Sequence, residues 1–216
     1  MTTSIDVLPD DMLLNIFLVA KEHQFTQHPQ IAISQVCKRW RSLALSNPLL
    51  WDKLYLENPG TLDSSQICSR TARISSQRSS PLLLDVVIMD DFGAIPYATI
   101  LESFACRIRN LDMNRMRIQF KELKSLLERI GNVASNLRSM KLPRCENWDL
   151  EEDLLTDEAL PLPMKLDKLA LADSVCLECR PFQLSSITQL QLKEFVITRR
   201  VSPLSSATCP CCRLWS

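Results

Sequence analysis

LPDDMLLNIFLVAKEHQFTQHPQIAISQVCKRWRSLALSNPLLW, residues 8–51, is the stretch that decides how the chain is read. From Met12 to Val19 every residue except Asn15 is apolar, so a helix here has no solvated side of the usual width. Three short helices in about forty-five residues bury too little surface to hide such a helix on all sides. A second protein is the expected cover, which makes this stretch an adaptor-type module. Pro9 suits the first helical position, and Asp10 and Asp11 follow where the macrodipole favours acids. The pattern fades at Lys21-Glu22-His23, and Pro29 opens a second helix. There Ile33, Val36, Cys37, Trp40, Leu43 and Ala44 recur at three-four spacing, with Gln35, Lys38, Arg39, Arg41 and Ser42 opposite. Asn47-Pro48 ends it, because the residue before proline is pushed out of the helical region. Leu49, Leu50, Trp51 and Leu54 are read as a third, shorter helical turn.

The spaced residues resemble an F-box: Leu8 and Pro9, Asp11, Leu13, the Ile16-Phe17 pair, Ser34 to Trp40, Leu43, Ala44 and the closing Leu50-Trp51. The resemblance implies a three-helix module that docks onto the Skp-type adaptor of a cullin-RING ubiquitin ligase, as a substrate receptor; the alternatives are an adaptor-bound scaffold that degrades nothing and a cysteine-based redox or zinc-binding protein. In the three-helix module Leu8, Pro9, Leu13, Ile16, Phe17, Val36, Cys37, Trp40 and Trp51 form the docking surface or the core behind it. Taken singly, Val36, Cys37 or Trp40 also fits an ordinary core stripe.

At 216 residues the chain holds a small module plus a larger domain. The expected division is a helical module at 1–55, a semi-ordered linker at 56–81 in which Leu62, Ile67 and Ile74 allow a weak amphipathic helix, a repeat domain at 82–198 and an irregular tail at 199–216. With 25 basic and 25 acidic residues there is no overall field to draw nucleic acid or an anionic membrane. The first residues lack the basic start and apolar core of a signal peptide, and no uncharged apolar run approaches a membrane span. The expectation is a soluble protein of the cytoplasm or nucleus. Nine cysteines, an odd number scattered along the chain, read as reduced thiols. His23 and His28 are the only histidines, and Gly60, Gly93 and Gly131 the only glycines. That inventory allows no phosphate-cradling loop, HExxH pair or GxSxG elbow, so neither an enzyme nor a cofactor is expected.

From Leu82 the texture changes to a repeat. The pattern apolar-x-x-apolar-x-apolar occurs at Leu83/Val86/Ile88, Ile108/Leu111/Met113, Leu137/Met140/Leu142, Leu166/Leu169/Leu171 and Ile187/Leu190/Leu192. Successive starts are 25, 29, 29 and 21 residues apart, in or near the leucine-rich-repeat range. Helical spacing fills two of the intervals, Tyr97 to Ile108 and Phe120 to Ile130, the latter stopping at Gly131. The expected fold is therefore an N-terminal three-helix module followed by a short strand-helix array, α/β in class. The array resembles the degenerate leucine-rich repeats that often follow an F-box. It departs from that family because the Asn or Cys expected after each strand is present only at Cys145. An irregular α/β domain is the alternative. Side chains alternate along a strand, so Asn110, Asp112, Asn114, Ser139, Lys141, Lys168, Gln189, Gln191 and Lys193 are expected on a concave face, where they suit a protein target.

Two further features carry weaker chemistry. Glu146 to Glu158 holds seven acids and no basic residue, which reads as a solvated face or as a lure for a basic partner. Cys176, Cys179, Cys209, Cys211 and Cys212 offer thiolate pairs, but the interval between them exceeds that of a zinc ribbon. No metal is expected.

Overall fold

The computed structural model describes residues 5–22, 28–57, 63–89, 97–146, 166–171 and 187–192. Helix α1 spans Asp10–Glu22, with the Pro9 carbonyl accepting its first helical hydrogen bond from Leu13 N–H at 3.0 Å. The single second helix expected from the sequence is in fact two, α2 (Pro29–Val36) and α3 (Lys38–Ser46), broken at an extended Cys37. No proline or glycine announces the break. It is stabilised by caps: Cys37 Sγ accepts from Trp40 N–H at 3.5 Å, and Arg41 Nε donates to the Ser34 carbonyl at 2.9 Å. Those contacts satisfy groups that each helix end leaves open. A 3-10 turn at Pro48–Leu50 follows, with Asn47 Oδ1 accepting from Leu49 N–H. Leu13, Phe17, Ile33, Ala44, Leu50 and Trp51 form the core of this helical part.

The expected third helical turn stops short of Leu54, because Lys53–Glu57 is the strand β1. Its Lys-Leu-Tyr-Leu-Glu alternation buries Leu54 and Leu56 completely and turns Lys53, Tyr55 and Glu57 the other way. Five more strands join it: β2 (Leu84–Met89), β3 (Ile108–Asp112), β5 (Ser139–Lys141), β7 (Lys168–Leu171) and β8 (Gln189–Leu192). The sheet order is β1-β2-β3-β5-β7-β8, and every pair is parallel. Within this sheet the strands thus stand side by side in the order in which the chain reaches them. A second parallel pair joins β4 (Arg117–Gln119) to β6 (Arg144–Glu146). The register pairs Asp85 with Asn110, Asn110 with Ser139, Ser139 with Lys168 and Lys168 with Gln189. Those offsets equal the intervals of the apolar pattern, so the repeat in sequence is the repeat in the sheet. The apolar positions Val86, Ile88, Leu111, Met140 and Leu169 lie in one core with helices α5 (Tyr97–Glu102) and α6 (Phe120–Gly131).

The segment expected to be a semi-ordered linker contains a regular helix, α4 (Ser64–Arg78). Its buried stripe is Cys68, Ala72 and Ser75, continued by Ser79 just past its end. Small side chains let this helix lie close to the sheet, and a stripe without large apolar residues gives little periodic signal. Another side of α4 meets the helical module: Ile74 packs on that core, and the Arg78 guanidinium lies over the Trp51 ring at 4.5 Å. Arg107 secures the end of the helix by donating to the Ser76 carbonyl at 2.7 Å, the Leu82 carbonyl at 2.7 Å and Ser79 Oγ at 2.9 Å. A cation is favourable at a helix C-terminus.

A buried ion pair joins the two parts. Lys21, the last basic residue of α1, donates from Nζ to Asp52 and to the Leu49 carbonyl. Its side chain is 8 % exposed and that of Asp52 21 %. Truncating one partner strands the other, so Lys21→Met is expected to destabilise the protein by roughly 3 kcal/mol. The double change Lys21→Met/Asp52→Leu should recover most of that loss. Urea unfolding of the two variants checks this; equal losses would show that the pairing contributes nothing specific.

Candidate functional site

The first candidate surface is on α1. A helix with apolar residues all round has one apolar face for its own core and one left over. Leu13 and Phe17 take the first role, and the Trp40 ring packs on Phe17 at a tilt of 56°, with ring centroids 4.8 Å apart. Met12, Ile16 and Val19, again at helical spacing, remain 52 %, 45 % and 56 % exposed. Val36 and Ile31 on α2 are exposed as well. The N-terminus of α1 is held in place by Arg39, which donates to Asp10 Oδ1 at 2.8 Å and to the Leu8 carbonyl.

The residues singled out from the sequence divide accordingly. Pro9, Ile16, Val36 and Cys37 are exposed, Leu8 and Trp40 are half-buried, and Leu13, Phe17 and Trp51 are closed within the module. Those last three back the surface and offer no side-chain area to a partner. Val36 and Cys37 depart from the expected packed stripe because the helix break at Cys37 turns them outward. Met12 and Val19 were missed as surface residues. Their apolarity was noted, but which side of α1 its own core would take was not.

The second candidate is the sheet face opposite the core, a groove of about 820 Å³. Asn110, Asp112, Asn114, Ser139, Lys141 and Lys168, expected there from the alternation, all line it. Gln189 is an exposed residue of β8, Gln191 has its backbone in β8, and Lys193 lies outside the described residues. Sequence reasoning missed the contribution of the first two strands: Lys53, Tyr55, Asp85 and Met89 line the groove too. The alternation that points Asp85 and Met89 this way was legible beside Val86 and Ile88, whereas Lys53 and Tyr55 were hidden because β1 reads as a continuation of the helical turn before it.

Three carboxylates of the groove are taken by neighbours. Asp85 accepts a fork from Arg109, Nε at 3.0 Å and Nη2 at 2.9 Å, and a bond from Asn110 Nδ2 at 2.7 Å. The hydrogen bond to Asp85 raises the Arg109 pKa above its ordinary value. Asp112 accepts from Lys141 Nζ at 2.5 Å, and Arg138 stands 3.7 Å from Asp167. Lys53, Arg115 and Lys168 have no carboxylate partner among the described residues. Lys53 lies 5.4 Å from the Tyr55 ring centroid, and Arg115 contacts Met89 Sδ at 3.5 Å.

Where the helical module meets β1, His28 stands edge-on to Tyr55 with ring centroids 6.0 Å apart. His28 Nδ1, Tyr55 Oη and Glu57 Oε1 are buried without hydrogen-bond partners among the described residues. Burial pushes the His28 imidazole below its ordinary value and the Glu57 carboxyl above its own. Among the described residues no group of three or more His, Cys, Asp or Glu is placed to hold a metal ion. Nor is any of their helices long and apolar enough to cross a membrane. Cys37, Cys68 and Cys106 are not in disulfides. The acidic run beyond Glu146, the five cysteines from Cys176 to Cys212 and the tail at 199–216 lie outside the described residues.

Residues 5–57 match the family model of F-box-like domains. The chain therefore resembles F-box proteins over its helical module, and the match runs on through β1. A comparison with curated proteins finds no match for the chain. F-box domains in general bind Skp-type adaptors and are non-catalytic recognition modules.

The two buried titrations have opposite signs. With its native pKa depressed below 6.5, His28 lowers stability as pH falls below that value. With its native pKa raised above 4.5, Glu57 lowers stability as pH climbs from 4.5 to its native value, and the cost persists at neutral pH. Glu57→Gln should therefore raise the thermal midpoint at pH 7, with the gain gone below pH 4.5, while His28→Gln should flatten the decline on the acid side of 6.5. Midpoints measured across that range check both signs.

Proposed function

We propose that the chain is a substrate-receptor subunit of a cullin-RING, SCF-type ubiquitin ligase. The helical module docks onto a Skp-type adaptor, and through it onto the cullin, while the sheet face holds a protein target. The sheet is read as a short leucine-rich-repeat-like array because from β2 onward its parallel strands follow one another in chain order at intervals of 21 to 29 residues. The chain performs no chemistry itself; it raises the effective concentration of a target beside a ubiquitin-charged partner. Such a role places it in the cytoplasm or nucleus.

The observation that carries this reading is the exposed strip Met12, Ile16 and Val19 within the part that matches F-box-like domains. Apolar side chains in a row on an ordered helix suit a hydrophobic partner surface. Co-expression with a Skp-type adaptor should give a stable complex. Central apolar contacts of an interface are worth 2 kcal/mol or more, so Ile16→Glu/Val19→Glu should weaken capture at least about thirtyfold. Both positions are exposed, so the variant should keep its unfolding midpoint, whereas Phe17→Asp should unfold the module. Undiminished capture by a folded Ile16→Glu/Val19→Glu variant would remove the proposed docking face.

A further inference from the structure

The register of the sheet sets the charges of the groove in rows. One row runs Lys53, Asp85, Asn110, Ser139, Lys168 across β1, β2, β3, β5 and β7. The next runs Tyr55, Val87, Asp112, Lys141, Ala170. In the first row lysines stand on β1 and on β7, where Gln189 of β8 continues the row, and the aspartate between them is already held by Arg109 and Asn110. In the second row Asp112 is held by Lys141. Among the described residues the groove is lined by six cations, Lys53, Arg109, Arg115, Arg138, Lys141 and Lys168, against three carboxylates, Asp85, Asp112 and Asp167. Each carboxylate has a cation of its own. The charge left over is positive, on Lys53, Arg115 and Lys168, in a chain whose formal net charge is +0.

We infer that the groove binds an extended, aspartate- and glutamate-rich segment of a second protein laid across the strands. The inference rests on the receptor reading above and names the chemistry of its target. Four strand spacings of about 4.8 Å separate Lys53 from Lys168, roughly 19 Å, which an extended peptide covers in about six residues. A fitting segment therefore presents carboxylates about six positions apart to the two lysines, and a further one to Arg115. Between them Asn110 and Ser139 offer polar groups to its backbone. A nucleic acid strand fits less well. Its phosphates are continuous and would be driven over Asp85, Asp112 and Asp167, and Tyr55 is the only aromatic among the described residues lining the groove.

The test uses the full chain in complex with its Skp-type adaptor and a fluorescently labelled ten-residue peptide with two Asp-Glu pairs, their leading residues six positions apart. Anisotropy should show binding that weakens as salt is raised from 50 to 300 mM. The amide counterpart, Asn-Gln for Asp-Glu, should not bind, and an isomer with the two pairs adjacent should bind several-fold more weakly. Three exposed charge pairs at a few tenths to 1 kcal/mol each correspond to about tenfold, so Lys53→Gln/Arg115→Gln/Lys168→Gln should lose about that much affinity. Lys53→Arg/Lys168→Arg should retain it. Equal binding by the triple variant, indifference to carboxylate spacing, or tighter binding of a uridine decamer than of the peptide would each overturn the inference. Adaptor capture is scored on the same samples, so loss of peptide binding with capture intact rejects the groove alone, and absence of capture rejects the receptor role alone.

Discussion

The arrangement of this molecule depends on two consecutive residues, Trp51 and Asp52. The indole is buried, donates from Nε1 to the Ala44 carbonyl at 2.8 Å and carries the Arg78 guanidinium on its face. The next residue binds the Lys21 ammonium through its carboxylate, and its carbonyl accepts from Asp85 N–H at 2.8 Å. One dipeptide thereby ties together α1, α3, α4 and the start of β2. A buried charge pair contributes little net stability against an apolar substitute, but an unpaired member is costly. Its effect here is to penalise any other angle between the helices and the sheet.

The same accounting explains why α1 has two apolar faces. Phe17 and Leu13 are completed by Trp40, Ile33 and Leu50 from the remaining helices, while Met12, Ile16 and Val19 keep about half of their surface open. A module of this size has too few residues to cover both sides. The strip is thus a direct consequence of writing an apolar helix into a small fold.

Much of this was legible in the residues. The spacing of Ile108/Leu111/Met113 and Leu137/Met140/Leu142 located strands to within a residue or two, because alternation and burial go together when one face of a sheet is covered. The groove residues Asn110, Asp112, Ser139, Lys141 and Lys168 followed from the same alternation. What escaped was local or three-dimensional in origin. The helix break at Cys37 rests on hydrogen bonds to a sulfur and to a distant arginine, which no periodicity encodes. Helix α4 was legible only as a weak amphipathic helix on Ile67 and Ile74, because the residues it buries, Cys68, Ala72 and Ser75, pack by being small. Strand β1 was concealed by the Leu-Trp that precedes it, which drew Leu54 into a helical reading.

One property of the sheet has a wider bearing. Its rows are set by backbone pairing, while the return segments between strands differ in length from one interval to the next. A residue in a row can change without disturbing the leucines beneath it or the helices behind them. Selection could then retune what the surface attracts, position by position, while the fold and the distant helical face stay as they are.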